Sequence, residues 1–376
     1  DHEALHRQLE AIAVDTLLLP RWILPIRPAA VVLEDHAVAI SQGRLLDICP
    51  AGEALLRYTA AEVVPLADKL LMPGLVNAHG HAAMTLLRGL ADDLPLLEWL
   101  NEHIWPAEKR WVSEAFVASG SRLAIAEMLR GGTTTFADMY FYPDVTARVA
   151  AEIGMRCQIA FPILDFPTAW ASDANDYIHK GLLLIDEYRH SELISFAFGP
   201  HAPYTVSDEP LRRIASLAHQ MDRPIQIHLH ETAFEVEDAV ARSGQRPLAR
   251  LEALGLLTPQ TQCVHMTQIN AEDLRMLAST GAQVVHCPQS NLKLASGFCP
   301  VQRLREAGVN VALGTDGAAS NNDLDLWEEL RLAALLAKAV AGNAAAVPAS
   351  AALEMATLGG ARALGLDDSI GSLEVG

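Results

Sequence analysis

Beyond Met72 the chain alternates short apolar runs with longer stretches in which apolar residues recur every three or four positions. The first kind reads as buried parallel strands, the second as helices with one apolar face. Strand candidates are Met72–His81, Thr133–Met139, Arg156–Leu164, Ile194–Pro200, Pro224–His230, Gln262–Met266, Gln283–Pro288 and Val309–Thr315. Helical stretches between them cover Glu114–Arg130, Val145–Ile153, Asp176–Tyr188, Asp208–Gln220, Glu235–Ala241 with Pro247–Ala253, Ala271–Ala278 and Pro300–Ala307. Leu326–Val340 follows the last strand. Gly131-Gly132 closes one helix and Ser207-Asp208-Glu209-Pro210 opens another, the expected stop and start signals. This alternation predicts an α/β fold, a parallel (β/α)8 barrel of the TIM type.

Residues 1–71 differ. From Ala11 the runs VDTLLLP, AAVVLEDHAVAISQGRLLDI and AEVVPLADKLLMP are β-like and no helical stretch separates them, which predicts a small β-sandwich appendage rather than barrel units. The barrel is then expected over 72–376. The final GSLEVG reads as a hairpin being started, so a segment beyond Gly376 is expected to complete the appendage. Gly342–Ser350 is Ala-rich and is expected to be a surface connection between helices.

Composition narrows the function classes. Hydrophobic residues are 51% of 376, enough for a large core. Twenty-eight Lys and Arg face 46 Asp and Glu, a net charge of −18, which argues against a nucleic-acid partner because phosphate contacts need cations. Asp1–Glu10 is polar and Ile12–Leu19 is too short for a membrane span, so no leader and no membrane partner are expected, and the cytoplasm follows by default. The five Cys are scattered without a CxxC pair, as buried free thiols would be. GxGxxG after a strand, GxxxxGK[ST] and GxSxG are absent.

The candidate chemistry collects at strand ends: His79, His81, Asp138, His201, His228, His230, Glu231, His265, His286 and Asp316. In a barrel these ends share one face. His79-Gly80-His81 puts both imidazoles on one side of a strand, and imidazoles without thiolates suit zinc. Alternation also puts His228 and His230 on one side, so spacing leaves open which of them joins the first pair. Asp138 and His286 carry no assigned role.

Longer motifs go further. MPGLVNAHGHAAMTLLRGLADDLPLLEWL (Met72–Leu100), FGPHAPY (Phe198–Tyr204), HCPQSNLKLASG (His286–Gly297) and LGTDGAASNNDLDLWEELR (Leu313–Arg331) resemble the amidohydrolase superfamily, and within it the methylthioadenosine/S-adenosylhomocysteine deaminase family. The resemblance implies a metal-dependent aminohydrolase acting on a small adenine nucleoside. It implies His79, His81, His228 and Asp316 as metal ligands, with one divalent ion, zinc or ferrous iron. Two-metal relatives use a carboxylated Lys on the fourth strand, and ISFAFGPHA has none. It further implies Glu231, His265 and Asp316 as catalytic groups, and Trp99, Glu108, His201, Glu231 and Ser320 as substrate contacts. A homo-oligomer paired through Leu326–Val340 is also compatible.

One departure bears on the substrate. Members that accept S-adenosylhomocysteine carry Arg residues after the third strand, but CQIAFPILDFPTAWASDAN (Cys157–Asn175) has neither Lys nor Arg. Phe161, Phe166, Pro167 and Trp170 favour a small apolar 5′ group. The expected order is 5′-methylthioadenosine, with adenosine, ahead of S-adenosylhomocysteine, unless Lys180 or a partner's loop supplies charge. The rival readings are deamination of another ring (guanine, cytosine, pterin or triazine) and a catalytically silent scaffold.

Overall fold

A computed structural model of the chain describes residues 11–376; the polar segment 1–10 lies outside them. The chain divides into two compact units, one of residues up to Pro73 with Asp367–Gly376, the other Gly74–Leu366.

The smaller unit carries one mixed five-stranded sheet: β1 (Ile12–Ile23), β2 (Leu33–Glu34), β3 (His36–Ser41), β4 (Arg44–Pro50) and β5 (Tyr58–Leu71). β1 pairs antiparallel with β2 and β3 and parallel with β5. The short helix Ala51–Arg57, which the β-like reading missed, buries Ala54 against a core of Val14, Leu17, Ala37, Ala39, Cys49 and Tyr58. The C-terminal residues assigned to the barrel by pattern fall in this unit instead: Leu373 N donates to Pro25 O and Gly376 N to Leu45 O.

The larger unit is a parallel barrel of β6 (Leu75–Asn77), β7 (Thr133–Asp138), β8 (Arg156–Ile163), β9 (Ile194–Pro200), β10 (Ile225–Leu229), β11 (Thr261–His265), β12 (Gln283–His286) and β13 (Val311–Leu313), neighbours in chain order. Ala78 N→Leu313 O and Asp316 N→His79 O close first strand to last. The closure is tight. A Cβ on Gly314 would stand 2.9 Å from the backbone N and O of His79, so only glycine fits. Helices on the outside start where the sequence supplies caps: Ser113 accepts from Phe116 N, Asp173 from Asp176 N, and Asn270 with Asp273 forms a capping box. The Ala-rich Gly342–Ser350 is not wholly a surface connection, since Ala346 and Val347 are fully buried. All five Cys are buried and free. No helix among the described residues is long and apolar enough to cross a membrane.

Candidate active site

The strands are shorter than their apolar runs, because the backbone turns sharply where they end. His230, His265, Met266 and Asp316 all take positive φ, a conformation that costs about 1–3 kcal/mol per residue and clusters at functional sites. These turns aim side chains inward above the barrel's C-terminal mouth. His79 and His81 follow β6, His228 lies in β10, and Asp316 follows β13. One donor atom from each lies within 4.8 Å of the others. His79 Nε2 and His81 Nε2 stand 3.3 and 3.1 Å from Asp316 Oδ1.

Proton placement makes this a metal site rather than a packed cluster. Each Nδ1 faces an oxygen that can only accept: His79 faces Gln226 Oε1 at 2.8 Å, His81 the Met139 carbonyl at 2.5 Å, and His228 the His201 carbonyl at 2.7 Å. Each Nδ1 must therefore carry the hydrogen, leaving each Nε2 lone pair pointed at the shared centre. His79 Nε2 is buried and, though near Asp316, has no hydrogen-bond partner. An orphaned imidazole lone pair beside two more and a carboxylate fits a divalent ion of zinc type. Burial holds His79 and His228 below the ordinary histidine range. In His81 burial lowers the pKa, but Asp316 and the Met139 carbonyl overcome it and lift the ring to about 9, so its Nε2 holds a second proton against Asp316 that a bound ion would displace. Asp316 is pushed up by burial and pulled further down by His79 and His81, ending well below the carboxylate range.

The alternation between His228 and His230 now resolves. His230 accepts from Leu248 N at Nε2 and donates from Nδ1 to Gln268 O, so both nitrogens are spent on fastening loops. Asp138 accepts from Ala82 N, fixing the turn after His81. His286 is buried with Nδ1 unpartnered, and the structure gives it no role.

Glu231 and His265 complete the centre. His265 Nε2 lies 3.5 Å from Glu231 Oε1 and 3.7 Å from Asp316 Oδ2. Burial, with the Asp316 charge adding to it, raises Glu231 to about 8. Burial holds His265 low and neutral, and its Nδ1 is 2.8 Å from Asn291 Oδ1.

The sequence-assigned contacts Trp99, Glu108, His201 and Ser320 line one cavity of about 590 Å³ with Glu231, His265, His81, His228 and Asp316, a size suited to a small molecule. Trp99 sits on a π-helical turn, Trp99–Ile104, of the kind found at functional sites; its Nε1 is buried and unpartnered. The helix Trp105–Trp111 follows, and Trp105, Glu108 and Lys109 face the cavity with Val112 just beyond. Tyr140 donates to Glu108 Oε1 at 2.9 Å, and burial lifts Glu108 to about 7. Thr205 Oγ1, already donating to Ala202 O, accepts from His201 Nδ1, so His201 Nε2 is left as an acceptor toward the cavity.

One expectation needs correction, and one alternative loses support. Phe161 packs on Phe198 and Trp170 on Tyr177; neither lines the cavity, whose outer wall uses Phe166, Pro167 and Trp105. Lys180 is engaged with the Trp170 carbonyl and Asp176. Sequence reasoning also passed over Gln226, Ser290 and Asn291. Gln226 lies two residues before His228, on the same strand face, so alternation could have found it. Ser290 donates to Asp316 Oδ2 at 2.7 Å from the short helix Pro288–Lys293, a reach across the fold that no spacing rule gives.

A closed (β/α)8 barrel with three imidazoles and an aspartate gathered at its C-terminal mouth defines a metal-dependent hydrolase. Residues 70–376 match the model of the amidohydrolase family, and the chain belongs to that family. It is 58% identical over 96% of its length to a 5-methylthioadenosine/S-adenosylhomocysteine deaminase of Saccharophagus degradans, covering 81% of that protein, and 56% identical to one of Teredinibacter turnerae, covering 82%. It is similar to the crystal structure of an adenosine deaminase from Xanthomonas campestris with bound zinc, at 54% identity and a TM-score of 0.96, over 97% of this chain and 83% of that one. A zinc-complexed atrazine chlorohydrolase from Arthrobacter aurescens, 23% identical, shares the fold at a TM-score of 0.88, over 96% of this chain and 85% of that one.

Proposed function

We propose that the protein hydrolytically deaminates the adenine ring of a 5′-substituted adenosine, releasing ammonia and the inosine analogue, with a single zinc or ferrous ion held by His79, His81, His228 and Asp316. The carrying observation is that three imidazole Nε2 atoms and an ionised carboxylate share one centre facing a nucleoside-sized cavity that Glu231 also lines. Bound there, the ion would make a water nucleophilic near neutral pH.

The chain's own groups do the rest. Asp316 is ionised across neutral pH and accepts a proton at Oδ2, the oxygen that Ser290 steadies. Glu231, raised to about 8, keeps a proton to give a ring nitrogen. His265 steadies the oxygen adding to the ring when Nε2 carries the hydrogen. Asn291 must then turn its amide toward Nδ1, a rotation that breaks no other bond of Asn291 Nδ2, which has none. Glu108 and His201 Nε2 accept from ribose hydroxyls, and Trp99 Nε1 has a donor to give.

The outer wall favours an apolar 5′ group. Trp105 meets Phe166 edge-on at 5.9 Å. Among the described residues Lys109 is the one Lys or Arg in the lining, and it is exposed, where a single ion pair contributes about 0–1 kcal/mol. The expected order is therefore 5′-methylthioadenosine, with adenosine, ahead of S-adenosylhomocysteine. An ultraviolet assay of adenine-to-hypoxanthine conversion, with and without chelator, tests the reading. Turnover of a free base such as guanine but no nucleoside refutes it, and equal or higher kcat/KM on S-adenosylhomocysteine refutes the order.

A further inference from the structure

The helix Leu326–Ala341 carries a carboxyl that the chemistry above does not use. Glu329 is fully buried, and burial pushes its pKa well up, opposed by two donors. Both of those donors lead to Asp316.

The first path runs through Asn321. Its Nδ2 donates to Glu329 Oε1 at 2.5 Å and to the Thr315 carbonyl at 2.8 Å, so both amide hydrogens are used. On the other side of Thr315, Asn77 Oδ1 accepts from Thr315 N at 3.0 Å and its Nδ2 donates to Thr315 Oγ1 at 2.7 Å. Thr315 Oγ1 in turn donates to the Asp316 carbonyl at 3.0 Å. Asp316 has φ +60, a left-handed turn that persists only where its surroundings hold it. The second path runs through Gln289, whose backbone N donates to Glu329 Oε2 at 3.2 Å. The next residue is Ser290, the donor to Asp316 Oδ2.

We propose that Glu329 is a positioning residue for the metal-binding carboxylate: through Asn321–Thr315 it holds the backbone of Asp316, and through Gln289–Ser290 it holds the rotation of its side chain. One buried carboxyl thus fixes both the place and the plane of a ligand it does not touch. The role needs two acceptor oxygens. Glu329→Gln keeps the volume and offers one acceptor, with an amide N–H set against the other donor, so one tie is lost.

The test is zinc affinity of the metal-free protein, measured by competition with a chromophoric chelator, beside the melting temperature of the same metal-free protein. Glu329→Gln is expected to weaken zinc about tenfold, the low end for groups that orient metal ligands, with the metal-free melting temperature nearly unchanged. Weakening of well under tenfold, or a loss of zinc that only follows a fall in metal-free stability, overturns the proposal. Should Glu329→Gln not fold, Asn321→Asp is read by the same criteria. It places an acceptor against both the Thr315 carbonyl and Glu329. The inference rests on the metal site of the proposed function but not on its substrate, so a failed deamination assay leaves this measurement standing.

Discussion

At the scale of single residues, Glu231 offers the sharpest prediction. A carboxyl lifted to about 8 is protonated through neutral pH and charged above it. As an acid it works while protonated, so kcat/KM is expected to fall about tenfold per pH unit above that value. A dication bound nearby would favour the charged form and move the inflection down, never up. Glu231→Gln is expected to lower kcat by about 10²–10⁴ while substrate still binds; an unchanged kcat would remove Glu231 from catalysis and revive the silent-scaffold reading. Lys109→Ala tests specificity: a drop confined to S-adenosylhomocysteine, by fivefold or less, is expected in three parallel kcat/KM measurements. The legibility of these residues was uneven. His79, His81, His228, Glu231 and Asp316 stood out because polar groups interrupt apolar strand ends. Gln226 was hidden because a glutamine inside a strand looks like an ordinary exposed position. Phe161 and Trp170 were misplaced because composition shows that the end of β8 and the loop after it are aromatic but not which way each ring turns.

At the scale of elements, the strand–helix alternation was plain in the sequence, and its boundaries were not. Apolar runs continued beyond the last ladder bond: Val309–Thr315 was read as a strand, while β13 covers Val311–Leu313. Hydrophobicity records burial, whereas the ladder ends where backbone dihedrals change. The helix Ala51–Arg57 escaped notice because seven residues are too few for a periodic signal. The contact between β13 and the segment after β6 makes its own prediction. Gly314→Ala sets a methyl group 2.9 Å from the His79 backbone, and overpacking of this kind costs about 1–3 kcal/mol. Thermal unfolding should register that loss, and zinc affinity should fall with it, since His79 is what the methyl displaces. Unaltered zinc binding and unaltered melting would mean the strands part more readily than the geometry implies.

At the scale of the whole molecule, binding an ion only in the folded state adds stability by mass action. At a free metal concentration of one hundred times Kd the gain is about 2.7 kcal/mol. Chelation is therefore expected to lower the melting temperature, with recovery on adding back one equivalent of zinc per chain. Recovery that requires two equivalents would refute a single ion. The location of Asp367–Gly376 was illegible for a related reason: partners as distant as Pro25 and Leu45 leave no local trace. Beneath the site, Gln226 Nε2 donates to Gln262 Oε1 at 2.7 Å, Gln262 Nε2 to Gln158 Oε1 at 2.8 Å, and Gln158 Nε2 to the Leu364 carbonyl at 2.8 Å. A carbonyl cannot donate, so the last amide can face only one way, and each amide above it inherits that sense up to His79. The Ala78 carbonyl, which also accepts from Gln226 Nε2 at 3.0 Å, enforces the same sense at the top of the row, so a helix end and a strand end together settle which nitrogen of His79 is bare. Reversing any single rung would set oxygen against oxygen, so the row behaves as a ratchet with one permitted direction.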